Sequence, residues 1–131
     1  MFEEPDEVLA RVQDDMRRAQ QRAEALPRLQ AAIDAIRVSV LSDQRDMTVE
    51  VDASGRLTRL EIADAALERG GSRVSADVMA LIGTAARRAR ATTLEATSRL
   101  LGDDDPVAQV LKTEVDAAEA GSRGWLSGGP Q

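Results

Sequence analysis

At 131 residues with a net charge of −6, the chain has room for one domain plus tails, and its acidity argues against indiscriminate nucleic-acid binding. It holds no cysteine and no histidine, which excludes disulfides, zinc fingers, thiol nucleophiles and imidazole bases. Aromatic residues are limited to Phe2 and Trp125, so the core is built from Ala, Val, Leu and Ile; thin cores of this kind are often completed by a partner subunit.

The charge is unevenly spread. Residues 1–7 carry four acids and no base, and residues 103–131 carry six acids against Lys112 and Arg123. Residues 8–102 carry 13 acids and 15 arginines, so the body is slightly basic between two acidic ends. No apolar run approaches the roughly 20 residues that span a bilayer, and the start MFEEPDEV is acidic where a secretory signal is basic. A cytoplasmic protein without membrane association is the expectation.

Residues 6–35 predict a long helix. Val8, Leu9, Val12, Met16, Ala19, Ala23, Leu26 and Ile33 recur at spacings of three and four, and acids crowd its start, where the helix dipole favours them. Pro27 lacks an amide donor and crowds the preceding turn, so a kink or break is expected there. Such a helix reaches about 45 Å, too long for a small globule to cover, and part of it is expected to pack on a second copy of the chain.

At Ile36 the apolar period changes from 3.6 to 2. Ile36, Val38 and Val40 alternate with Arg37, Ser39 and Leu41; Ser42–Asp46 is a polar turn; Met47, Val49 and Val51 then alternate with Thr48, Glu50 and Asp52. Asp52-Ala53-Ser54-Gly55 is a hairpin turn with glycine where positive φ is needed. Thr58, Leu60 and Ile62 form a third strand, with Leu57 out of phase, as a bulge would explain. This predicts an antiparallel three-stranded meander with one apolar face, whose other face sets Arg37, Glu50, Arg59 and Glu61 for cross-strand ion pairs.

Residues 63–67 predict a helical turn and residues 69–72 a loop. Ser75 is the candidate N-cap of a second long helix, whose stripe is Val78, Leu81, Ile82, Ala85, Ala89, Thr93, Ala96 and Leu100. Asp103-Asp104-Asp105 reads as a solvated boundary rather than a cation site, because it lacks calcium-loop spacing. Pro106 fits the first turn of a short third helix over 107–120, and the Gly/Ser-rich residues 121–131 are expected to be disordered. Trp125 is a candidate for docking on the body or on a partner.

The run Met47-Thr48-Val49-Glu50-Val51-Asp52-Ala53-Ser54-Gly55-Arg56-Leu57, then Leu60-Glu61-Ile62, then the helix around Ala85-Ala86-Arg87-Arg88-Ala89, resembles the YbaB/EbfC family of nucleoid-associated proteins in its actinobacterial form. The resemblance covers roughly residues 6–101. It implies an α+β fold of long helix, three-stranded meander and long helix in an intertwined homodimer over residues 1–102; the acidic helix and tail, residues 103–131, depart from the simplest family pattern. It also implies non-enzymatic, nucleoid-associated binding of double-stranded DNA with no cofactor. Related members act as accessory factors of type VII secretion systems, so a protein-interaction role with secretion-system partners is the alternative.

The candidate phosphate-binding residues are Arg11, Arg18 and Arg22 on the first helix and Arg87, Arg88 and Arg90 on the second, since guanidinium forks match phosphate oxygens. The competing reading of the first set is a solvated face paired internally through Asp14–Arg18 and Asp15–Arg18. The expected core and dimer residues are Val12, Met16, Val38, Val49, Val51, Leu60, Ile62, Leu81, Ile82, Ala85 and Ala89. No set of residues implies catalysis.

Overall fold

The computed structural model describes residues 4–127, with side chains through Gly121. The order is α1 (Pro5–Ala35), β1 (Arg37–Leu41), β2 (Met47–Asp52), β3 (Leu57–Ile62), α2 (Asp64–Leu67), α3 (Gly71–Leu101) and α4 (Pro106–Ser127). The strands form one antiparallel sheet in the order β1-β2-β3. Helix α3 is the hub: it covers β1 and β2, and both α1 and α4 pack on it.

The meander follows from its turns. Ser42 Oγ accepts the amides of Asp46 and Met47 at 3.1 and 3.0 Å, and Arg45 adopts φ 60° to close the loop. In the second turn one oxygen, Asp52 Oδ1, accepts the amides of Ser54 and Arg56 and the Ser54 hydroxyl, holding the Asp52 carboxyl below its usual range. Gly55 has φ +84°, and a Cβ there would stand 3.3 Å from the Cβ of Ala86 on α3. Both the left-handed backbone and the close approach require glycine. Gly55→Ala is expected to cost about 1–2 kcal/mol, read as a Tm loss of several degrees; an unchanged Tm would contradict the packing.

The bulge falls at Thr58: Glu50 faces Arg59 while Val51 faces Leu57. This shift returns Leu57 to the apolar face. The expected cross-strand ion pairs do not form, although Glu50 and Arg59 stay opposite one another. Glu50 takes the Thr58 hydroxyl at 2.8 Å, Arg59 bonds Glu61 on its own strand, and Arg37 turns to the carbonyls of Asp34 and Ile36.

Two clusters make the core. Val40, Val49, Val51, Ala85 and Ala89 are buried, with Val38, Leu81 and Ile82 packed against them. Met47, Ala66 and Val74 form the second, flanked by Ile62, Val78 and Leu81. The alanines of α3 let the helix lie close on the sheet. Arg69 braces the second cluster, bonding Asp46 at 2.6 Å and Gln44 at 3.0 Å, with Asp77 at 3.5 Å. The Arg69 guanidinium, helped by Ser42, pulls the Asp46 carboxyl down to about 2.

Several expectations need correction. Pro27 does not break α1: the helix is continuous through it, and Pro27 is exposed, so the carbonyl it leaves unbonded is open to water. Helix α3 starts at Gly71, not after Ser75, because burying Val74 against Met47 and Ala66 draws in another turn. Helix α4 is not short: it continues through Ser127, so residues 121–127 are helical, while 128–131 and the Trp125 side chain lie outside the described residues. Of the expected core and dimer residues, Leu60, Val12 and Met16 are not buried within the single chain, being 42%, 48% and 67% exposed, which leaves a dimer contact as their place. The reason for Leu60 is geometric: α3 lies over β1 and β2 and stops short of β3.

Candidate nucleic-acid interface

The inner face of α1 changes character along its length. Where α3 covers it, the residues are apolar: Leu29 is buried, and Ala25, Ala32 and Ile33 are half-buried. Arg22, Arg18 and Arg11 precede Leu29 by about two, three and five helical turns and fall on the same side. The arginines therefore continue the packing face beyond the end of α3.

Arg22 is met there by an acid. Its Nε donates to Asp105 Oδ2 at 2.8 Å, and a second nitrogen reaches Oδ1 at 3.4 Å. The Asp105 side chain is only 5% exposed. The bond raises the guanidinium pKa and holds the carboxyl below its usual range. Asp105 is thus not part of a solvated boundary. Sequence reasoning missed this partner, which lies 83 residues from Arg22; the one local signal was an acid directly before a helix-starting proline.

The expected pairing of Arg18 with Asp14 or Asp15 does not form. Asp14 is 3.4 Å from Arg17 instead, and Arg18 stays exposed without an ion pair among the described residues.

The α3 set is more open. Arg87, Arg88 and Arg90 are exposed, and none has an acid partner among the described residues. One Arg87 nitrogen donates to Thr84 Oγ1 at 3.2 Å. Their neighbours Ala85 and Ala89 are buried against the sheet, so the packing of α3 on β1 and β2 holds this set in place. Arg99, not singled out from the sequence, is exposed about three turns beyond Arg88 on the same flank, with Glu95 between them offsetting part of the charge. The structure does not merge the two predicted sets. Arg88 stands over the sheet and Arg22 beyond the end of α3, about 20 Å away along the helix axis.

Among the described residues no group of acids is arranged to hold a metal ion, and no helix is long and apolar enough to cross a membrane. Neither a curated protein nor a solved structure matches the chain. The model of the YbaB/EbfC DNA-binding family matches residues 9–104, from the first third of α1 through α3 and its C-cap. That span contains both arginine sets, the meander and the Gly55 turn, and the chain belongs to the YbaB/EbfC DNA-binding family.

Proposed function

We propose that the protein is a non-enzymatic, nucleoid-associated homodimer of the cytoplasm that binds double-stranded DNA with low sequence specificity. The observation that carries this reading is the row of exposed arginines on α3, Arg87, Arg88, Arg90 and Arg99, on a helix packed against the sheet and free of acid partners among the described residues. Arginines on a helix flank reach phosphate oxygens, and phosphate contacts carry no sequence information. The net charge of −6 does not oppose this, because most of the excess acid lies at the two ends of the chain.

Two uncovered apolar surfaces support the dimer. Val8, Leu9, Val12, Met16 and Leu26 form an exposed stripe on α1, beside the face that packs on α3. Leu57 and Leu60 complete the inner face of the sheet at β3 and stand 40% and 42% exposed. A second copy of the chain would cover both. In light scattering the protein is expected at twice the 14.1 kDa chain mass, and Val12→Asp combined with Met16→Asp is expected to shift it toward that single mass. A wild-type monomer at micromolar concentration would overturn the dimer. A gel-shift titration with random-sequence duplex tests the DNA contact, and absence of binding at about 50 mM salt would refute it.

A further inference from the structure

We propose that the segment following the family match is an intramolecular latch: Asp105 occupies Arg22 in place of a DNA phosphate, and α4 holds Asp105 there. The inference rests on the DNA-binding reading above and adds its regulation.

The match to the DNA-binding family ends at residue 104, and Asp105 is the next residue. Its carboxylate is held from both sides. Oδ2 takes the Arg22 Nε at 2.8 Å, while Oδ1 accepts the amide of Val107 in the first turn of α4 at 2.9 Å. The positive end of the α4 dipole further favours a carboxylate at this place. Helix α4 is fixed in turn by its packing on α3: Ala108 is 2% exposed, and Leu111, Val115 and Ala118 follow on the same face, half-buried. The Arg22–Asp105 contact therefore depends on the docking of a 22-residue helix.

A carboxylate and a phosphate compete for the same guanidinium fork. While Asp105 sits on Arg22, that nitrogen pair cannot neutralise a phosphate. The α3 arginines have no such competitor. The latched protein thus meets DNA without Arg22, and displacement of Asp105 adds that contact to those of the α3 arginines.

The test is fluorescence anisotropy of a labelled random-sequence duplex titrated with full-length protein from about 50 to 200 mM salt. Asp105→Asn keeps an oxygen for the Val107 amide but gives up the charge on Arg22. It is expected to tighten binding about five- to tenfold at about 50 mM salt and to steepen the salt slope by about one per protomer. Arg22→Gln introduced into Asp105→Asn is expected to remove that gain. Asp103→Asn deletes the same charge from an exposed carboxylate that makes no ion pair among the described residues, and it is expected to move affinity by less than about twofold. Ala108→Glu, which undocks α4 from the other side, is expected to reproduce the gain, with circular dichroism confirming that the body stays folded. If the wild type binds and Asp105→Asn binds no better, the latch is wrong and the DNA reading stands. An equal gain from Asp103→Asn would also overturn the latch, leaving diffuse charge as the cause. If no variant binds at about 50 mM salt, the DNA reading fails and the latch with it.

Discussion

Met47→Ala is expected to remove about 2–5 kcal/mol of folding stability, a large share of the about 5–15 kcal/mol typical of a domain. Met47 is 1% exposed and packs against Ala66 and Val74, with Ile62, Val78 and Leu81 around them. These residues come from β2, β3, α2 and the first half of α3, so the thioether joins every element at this end of the sheet. Truncation leaves a cavity that the neighbours cannot close, because the Arg69–Asp46 bond and the Ser42 turn fix the backbone on either side. A urea titration that leaves the m-value unchanged and lowers the midpoint would measure the loss. A change under about 1 kcal/mol would mean that this cluster does not carry the fold.

The second large effect concerns DNA. Replacing Arg87, Arg88 and Arg90 together by glutamine is expected to weaken duplex binding by about a hundredfold or more near 100 mM salt and to lower the salt slope by up to about three per protomer. All three side chains are exposed, so folding should be almost untouched and the thermal midpoint should move by little. The loss should be similar on duplexes of different sequence, since phosphates are the contacted groups. The same anisotropy titration reads affinity and slope. A triple variant that binds like the wild type would place the interface elsewhere.

The meander was legible from local rules. The period of two, the polar Ser42–Asp46 turn and the Asp52–Gly55 turn fix each strand to within a residue, and Leu57 out of phase marks the bulge that forms at Thr58. The α3 stripe was legible for the same reason: Ala85 and Ala89 repeat at the helical spacing and are fully buried. What a periodic pattern lacks is the identity of the covering surface. The stripe of Val12 and Met16 reads as a packing face, for the core or for a second copy, and within the single chain α3 packs on the neighbouring face of α1 through Leu29. Leu60 alternates correctly and still lies beyond the width of α3.

Local rules also misjudge ends and charges. Pro27 is tolerated because its side of α1 faces water, and the N-terminal start of α3 is set by the burial of Val74, not by a capping side chain. Asp105 looks like one of three solvated acids; only the return of the chain past α1 brings it to Arg22. The candidate arginines were thus identifiable by residue type and spacing, whereas the occupation of Arg22 by Asp105 is a property of tertiary structure.

In the proposed dimer the arginine-bearing helices grip duplex DNA by its phosphates. The most direct measurement is the salt dependence of wild-type affinity for a random-sequence duplex. Phosphate contacts predict clear binding at about 50 mM salt and a log–log slope of about −0.9 for every phosphate neutralised, becoming shallower in the Arg87/Arg88/Arg90 variant. Absence of binding at that salt, or an affinity indifferent to salt, would contradict this reading.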